Sequence, residues 1–518
     1  VTPLEDLLST WLATKRWCPS GGHAVAVDLV SSTPLFDPGH DAVVIFHLVR
    51  AHVDSGPVLL SVPLTYRWWD PRAPRGGPGE AGKVPAPPSN VSVVGSLTLS
   101  QAGELLASCG VPQHSIPPDE PFRGPEKAGV LLKDAGSPPP WQGVTVRDGV
   151  FDSAFTRAWV SALLGDSPVG ALHYPEQGGL WGEILTSEPE ILRELAVENP
   201  RVITTEQSNS SAVLSNWGMV KLFRILSPGS NPDVAIPVAL SKRGWDGVPD
   251  VFAHVMLRWP IDDGHRDELA DVAVLTRFLP ESHDGFELSL RMAQQGEDFS
   301  NLAWDLGLRS AQMHHMLRDV FPKEEGTEAQ DSSLGCTLID QIRWASREVP
   351  SLTDVRDDIV TLGEALQGLP ELDLSLTSEY QKVHGDYHLG QVLRAGDRWV
   401  VLDFEGEPLR SLMQRNQTDD PLRDVAGMLR SLDYAAAIGQ APSWWRDQAR
   451  QQFLFGYLSE SPDTDRDSFD LSLSVHELLK ALYEAVYESR SRPDWLQVPL
   501  GAIQRLTSHL NHVLTPDR

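Results

Sequence analysis

The run His384-Gly385-Asp386-Tyr387-His388-Leu389-Gly390-Gln391 is followed, after a short apolar stretch, by Asp403-Phe404-Glu405. Asp386 and Asp403 stand 17 positions apart, each beside a strand-like segment. Two acids so placed suit phosphoryl transfer from a magnesium nucleotide: one orients the attacking hydroxyl and the other holds the metal that bridges the phosphates. Val392-Leu393 and Val401-Leu402 flank the turn Ala395-Gly396-Asp397 and predict a hairpin that returns Asp403 towards Gln391 and Asp386. In this reading Asp386 receives or orients the acceptor proton. Gln391 is a neutral oxygen ligand and Asp403 the anionic magnesium ligand, while Glu405 is a second ligand or a substrate contact. His388 joins Asp386 in the catalytic group, where it and His384 organise the loop rather than act as acid and base. The bland alternative is a pair of acids on a solvent-facing hairpin.

Upstream, Glu206-Gln207-Ser208-Asn209-Ser210-Ser211 lies between two strand-like runs, and Lys221 sits on the next one. Small polar residues in a hairpin let backbone N–H groups and hydroxyls approach phosphate oxygens, and a lysine one strand later reaches the α/β-phosphates. Gln207, Ser208, Asn209, Ser210 and Lys221 are therefore nucleotide candidates, against the reading of an ordinary Ser/Asn-rich turn. Asn231-Pro232-Asp233 predicts a helix start, with Asp233 near the positive end. That helix should stop short of Leu240, because Pro237 breaks it.

The elements that must carry these groups can be read from periodicity. A short helix covers Leu4 to Leu12, and strands are expected at 24–30, 42–49 and 58–66. A Pro/Gly-rich stretch at 70–89 and a Pro-rich insertion at 111–141 interrupt the first part. Helical patterns at 153–163 and 188–197 precede strands between 201 and 279, a long helix at 297–320, and a mostly helical remainder. The expected domains are a cap (1–110), an insertion or linker (111–145), an intermediate region with the phosphate loop (146–280), and a helical lobe (281–518). The fold class is α+β, with a mainly-β N-terminal part and a large helical C-lobe.

Bulk composition narrows the partners. The 518 residues carry a formal charge of -28, which repels nucleic acid and anionic membrane. Cys18, Cys109 and Cys336 have no metal-ligand spacing, which fits a reducing compartment. No apolar run reaches membrane-spanning length, so a cytoplasmic protein without a membrane partner is expected. There is no Gly-x-Ser-x-Gly elbow, and a paired-carboxylate glycosidase leaves Lys221 unexplained.

Several stretches resemble the actinobacterial maltokinases, a branch of the aminoglycoside-phosphotransferase-like kinases. They are EQSNSS at 206–211, VKLFR at 220–224, NPDV at 231–234, HGDYHLGQVL at 384–393, VLDFEGEP at 401–408, PLRDVAGMLRSLDYAA at 421–436 and YEAVYESRSRPDWLQVPL at 483–500. Lys15-Arg16-Trp17 resembles the start of that family's cap. The resemblance implies a bilobal protein-kinase-like fold and transfer of the ATP γ-phosphate to the anomeric hydroxyl of maltose, with ATP and Mg2+ required. It implies Asp386 as catalytic aspartate, Gln391 and Asp403 as metal ligands, Lys221 on the phosphates, and Phe278-Leu279 leading into the adenine hinge. It also allows a maltose-producing enzyme of α-glucan metabolism as a partner. Where the family pattern places a glutamate to pair with Lys221, this chain has Ala235. Asp233 or another acid must then substitute, or the lysine is held differently.

A sugar acceptor calls for aromatic faces and hydrogen-bonding groups. Arg430, Asp433 and Tyr434 share one helical face at offsets of three and four. A later helix carries Lys480, Tyr483, Glu484 and Glu488. These seven are the substrate-contact candidates, with Arg430 alternatively locking the Asp403-Phe404-Glu405 segment by an ion pair. Trp495 and the Trp444-Trp445 pair are candidate platforms, against the reading of core or surface packing for either. The same ATP machinery serves a kinase of glucosamine, glucose or a maltose-like oligosaccharide, and a non-catalytic nucleotide-binding scaffold is the reading outside enzymes.

Overall fold

The computed structural model describes residues 2–39, 42–69, 92–109, 111, 143–165, 179–195, 200–203, 208–261, 266–321, 334–367, 380–407, 411–461 and 464–514. Gln207, the 70–89 stretch and nearly all of the 111–141 insertion lie outside them. The chain divides into two units, Val1–Val234 with Asp250–Phe278, and Ala235–Pro249 with Leu279–Arg518.

The first unit opens with α1 (Pro3–Leu12), started by a reciprocal cap between Thr2 and Glu5. Its buried Leu4, Leu8, Trp11 and Leu12 fall on one stripe. Strands β1 (Ala26–Leu35), β2 (Val43–Val53) and β3 (Gly56–Trp69) form an antiparallel meander. Strand β4 (Val93–Leu97), helix α2 (Leu99–Ser108) and strand β5 (Gly143–Asp148) complete a sheet ordered β1-β2-β3-β5-β4.

After α3 (Ser153–Leu163), a second sheet is built from β6 (Gly179–Ile184), β7 (Arg201–Ile203), β8 (Asn209–Leu214) and β9 (Gly218–Phe223), with helix α4 (Ile191–Leu195) following β6. The short β10 (Ile225–Leu226) and helix α5 (Pro232–Lys242) come next, then β11 (Val251–Ile261) and β12 (Arg266–Arg277). The sheet order is β6-β11-β12-β9-β8-β7. Strand β6 was not legible in the sequence, because Gly179 and Gly182 interrupt its apolar pattern.

The two sheets are joined where the chain leaves β9. Strand β10 pairs with β3 through Ile225–Leu60 and Leu226–Leu59. Between them Arg224, fully buried, donates to Asp148 (2.7 Å) and to the Ser210 hydroxyl (2.8 Å). Its guanidinium also lies 4.9 Å from the Trp17 ring centre.

The expectation that Pro237 ends its helix is corrected: α5 runs through it to Lys242. A proline inside a helix costs about 3 kcal/mol. Ile236 and Leu240 are fully buried, at about 1.5–3 kcal/mol each, so packing outweighs the lost hydrogen bond.

From Leu279 the second unit continues with β13 (His283–Asp284), α6 (Gly285–Gln295) and α7 (Ser300–Val320). Helices α8 (Leu334–Glu348) and α9 (Thr353–Gln367) pack with Gly335 at the start of one against Gly363 and Gln367 at the end of the other, and the hairpin β14 (Val392–Ala395) and β15 (Arg398–Val401) pairs with β13. It ends in α10 (Leu412–Arg415), α11 (Leu422–Ile438), α12 (Ser443–Leu458), α13 (Arg466–Ser491) and α14 (Gln497–Leu514). Trp399, Val401 and Phe404 share a core with Leu306 and Met313 of α7 and Val425, Leu429 and Leu432 of α11. The hairpin is therefore fixed against the two helices that flank the acidic motifs.

Arg224→Met would leave Asp148 buried without its cation, a loss of about 3–5 kcal/mol. We expect a clearly lower urea midpoint for this variant, and an unchanged midpoint would show that the junction between the sheets does not depend on the pair.

Candidate active site

The His384-Gly385-Asp386 loop hangs from one carboxylate. Asp424, in the first turn of α11, accepts the N–H of His384 (2.8 Å) and of Gly385 (2.9 Å). His314 of α7 donates Nε2–H to the same carboxylate (3.1 Å), while its Nδ1 accepts from the Tyr457 hydroxyl (2.8 Å). Burial opposes charge on Asp424, but His314, His384 and the loop N–H groups hold its carboxyl below the usual range. Two glycines make this approach possible. Gly385 has φ +87°, and a Cβ on Gly427 of α11 would lie 2.5 Å from the Tyr387 carbonyl oxygen.

His384 then ties the loop to the second acidic motif. Its Nε2 donates to the Leu402 carbonyl (2.8 Å), and its ring packs on Phe404 at 4.8 Å between centres. Leu402 N–H in turn donates to the Gln391 carbonyl (2.9 Å).

Asp386 projects from this frame to within 3.1 Å of Lys480 Nζ on α13. Burial would raise its carboxyl, but Lys480 and then the two neighbouring histidines outweigh it and hold it at about 2. Lys480 also reaches Glu407 (3.5 Å), and Glu407 is bound by Arg423 (2.6 Å). Burial lowers the His388 pKa more than Asp386 raises it, which favours the neutral ring. Its Nδ1 accepts the Gly390 N–H (3.1 Å) and its Nε2 faces Asp386 at 3.9 Å.

Asp403 adopts φ +63°, a left-handed conformation that aspartate tolerates better than most residues. The turn brings oxygens of Asp403 and Glu405 within 4.8 Å of one another. Half-buried Gln391 lies at the start of the same hairpin. Carboxylate and amide oxygens are the hard donors that magnesium takes, so the residue types fit that ion.

In the first unit, Lys221 of β9 makes an ion pair with Asp233 at 2.8 Å. The acid two residues before Ala235 thus supplies the partner expected from the missing glutamate. Ser208 is exposed ahead of β8, whereas Asn209 and Ser210 are buried on the strand itself. The Ser210 hydroxyl accepts from Arg224, which commits it to the sheet junction. Phe278 follows β12, with its N–H on the Trp217 carbonyl (2.7 Å), and half-buried Leu279 begins the second unit.

Most of the acceptor candidates form a buried charge network. Arg430, 1% exposed, donates to Glu484 (2.8 and 3.0 Å) and to Asp433 (2.7 Å). The ion pair that Arg430 was expected to offer the Asp403-Phe404-Glu405 segment is made with these two acids instead. Tyr434 donates to Glu488 (3.2 Å), which Arg492 also binds. Lys480 alone of the seven touches Asp386; Tyr483 stacks on Trp344 with ring centres 6.3 Å apart and lies 5.3 Å below the Lys480 ammonium. Trp445 is a core residue donating to the Glu297 carbonyl, while Trp444 is exposed.

Residues 11–105 match the maltokinase N-terminal cap domain. A glucosamine kinase of Mycolicibacterium smegmatis is 28% identical over 335 residues, covering 59% of this chain and 79% of that protein. One from Streptacidiphilus jiangxiensis is 28% identical over 333 residues, covering 58% and 72%. A solved glucosamine kinase in complex with glucosamine, ADP and inorganic phosphate superposes with a TM-score of 0.59 at 19% identity, covering 98% of this chain and 100% of that one. The chain has a bilobal kinase-like fold with a maltokinase-type cap. Within that fold, no helix among the described residues is long and apolar enough to cross a membrane.

Sequence reasoning missed Asp424, Glu407 and Arg423. Asp424 offered one signal, an acid in the first turn of a strongly apolar helix, but its partners lie 39 and 40 residues away. Asp424→Asn should speed amide exchange at His384 and Gly385 by about 10- to 100-fold, the equivalent of one lost charge-assisted hydrogen bond. Unchanged exchange at both amides would refute the suspension of the loop from this residue. The Asp386–Lys480 pair gives a second test. A carboxyl held at about 2 stabilises the fold above the ordinary aspartate value of about 4, and this contribution is lost as pH falls from about 4 to 2. In Lys480→Met, burial remains without the cation, so the Asp386 carboxyl should titrate above about 4 by carboxyl 13C NMR. A titration still near 2 would assign the shift to other groups.

Proposed function

We propose that this chain is an ATP-dependent sugar kinase whose acceptor is glucosamine or a closely related amino sugar. The observation that carries the kinase reading is Asp386: ionised, 3.1 Å from Lys480, and on a loop anchored by buried Asp424. A carboxylate so fixed orients the acceptor hydroxyl and takes its proton as the oxygen bonds to the γ-phosphorus and the β–γ bridging oxygen leaves with ADP. Its low pKa makes Asp386 a weak base, so orientation is the larger part of its contribution. Lys221, held by Asp233, has the charge and rigidity to meet phosphate oxygens. Phe278-Leu279, Ser208 and Asn209 remain nucleotide contacts in this reading. Gln391, Asp403 and Glu405 would hold magnesium, which when bound offsets charge on the phosphates.

Two observations support an amino sugar. The relatives at 28% identity are glucosamine kinases. Glu407, which Arg423 and Lys480 already bind, also places a second carboxylate one lysine head away from Asp386, a further acceptor for a substrate ammonium. The Tyr483–Trp344 stack beside Lys480 offers an aromatic surface for a sugar ring. The second reading is maltose as acceptor, giving maltose 1-phosphate and ADP, with a maltose-producing enzyme as a partner. The cap match at 11–105 and the motif resemblance favour it.

An ADP-release assay with glucosamine, maltose, glucose and longer maltosaccharides, with the phosphate position read by 31P NMR, separates these. Fastest turnover of glucosamine is the expected result. Selective formation of an anomeric phosphate on maltose would move the function to the second reading, and no turnover with any sugar would remove the kinase assignment. With the preferred acceptor, Asp386→Asn should lower kcat by about 10²- to 10⁴-fold while nucleotide affinity stays close to the original. A near-normal kcat would exclude Asp386 from the reaction.

A further inference from the structure

Away from the loop, the C-terminal half of α11, the first turn of α12 and one face of α14 line an open cavity of about 380 Å³. It meets α11 near Asp433, nine residues beyond Asp424 and so about 13 Å along the helix axis. Ala436, Ala437, Ala441 and Val498 line its apolar part, and Arg446 and Arg505 its charged part. Asp433 lines it as well, so two guanidinium groups and one carboxylate face the cavity in a chain of net charge -28.

Both arginines can turn to a ligand at small cost. Arg505, with 45% of its side chain exposed, pairs with Asp433 at 3.0 Å. Asp433 is already served by Arg430 (2.7 Å) and Arg450 (3.2 Å), so its buried charge stays compensated without Arg505. Arg446 pairs with Asp447, whose side chain is 63% exposed, and such a pair contributes little in water. Helix α12 starts beside them at Ser443, after Pro442, with no side chain bonding its first N–H groups.

The arginine pair and the apolar wall together select the ligand. Guanidinium groups suit phosphate through paired hydrogen bonds. A bare phosphate would leave Ala436, Ala437 and Val498 uncovered, whereas the cavity volume falls in the range of small-molecule sites. We propose that this cavity binds a small phosphate ester with a compact carbon body, of the sugar-phosphate class, at a site separate from Asp386. The inference does not depend on which sugar is phosphorylated.

The test is isothermal titration of glucose 6-phosphate into the full chain, with inorganic phosphate and glucose as comparison probes. Saturable binding of the ester is expected, with weaker binding of phosphate and none of glucose at this site. Arg505→Gln should weaken ester binding by about 10-fold or more. Gly501→Phe should do the same by filling the cavity, since a Cβ at Gly501 meets no atom within 4 Å and the helix is left undisturbed. An unchanged melting temperature in Gly501→Phe separates loss of binding from loss of fold. Absence of saturable ester binding would overturn the proposal, as would binding that both variants leave intact, or inorganic phosphate binding as tightly as the ester.

Discussion

Asp424 is a carboxylate with almost no solvent contact, and the geometry around Asp386 depends on it. A buried charge is tolerated only when its oxygens are satisfied, and here two backbone N–H groups and His314 do so. The requirement works in both directions. The loop cannot leave without stranding the charge, and the helix cannot rotate without breaking the loop. Because α11 is also the central helix of the core, through Val425, Leu429 and Leu432, the position of Asp386 is set by apolar packing transmitted through one acid. His384 extends the same frame to the hairpin through the Leu402 carbonyl. The two acidic motifs are thus held by one set of bonds, although they are well separated in the chain.

The first unit uses the same device at two places. Arg224 is buried at the sheet junction and satisfied by Asp148 and Ser210. Lys221, three residues earlier on the same chain segment, is held by Asp233. An outward-facing lysine on a strand would sample many rotamers, and an ion pair at 15% exposure removes most of that freedom. Loss of the expected glutamate at 235 therefore has a local compensation. Asp233 sits two residues earlier, at the helix end where a negative charge is favoured.

Much of the fold was legible in the sequence, and for identifiable reasons. The strand-like runs at 42–49 and 58–66 gave β2 and β3, and the apolar runs on either side of Ala395-Gly396-Asp397 gave the hairpin that carries Asp403. Helix α7 followed from its length and periodicity. What was not legible depended on partners distant in sequence. Pro237 has a clear local meaning, which the burial of Ile236 and Leu240 overrides. Ser210 looked like part of a phosphate loop because Arg224, its actual partner, is 14 residues away. Spacing correctly put Arg430, Asp433 and Tyr434 on one helical face, but it cannot say whether that face meets a cleft or another helix.

That last ambiguity has a structural answer along α11 and α13. Residues 476, 480, 484 and 488 recur every four positions on α13 and so form one stripe. His476 meets Asp420, Lys480 meets Asp386, Glu484 meets Arg430 and Glu488 meets Tyr434. Three of these four steps join α13 to α11 or to Asp420, two residues before it. A slip of α13 by one residue would separate every pair and leave several buried charges unmatched, which fixes its register. Lys480 is the one step that leaves this interface for the loop, so its distance to Asp386 is set by the three pairs around it. The polar residues of α13 that look like substrate contacts in the sequence thus also place the lysine that faces Asp386.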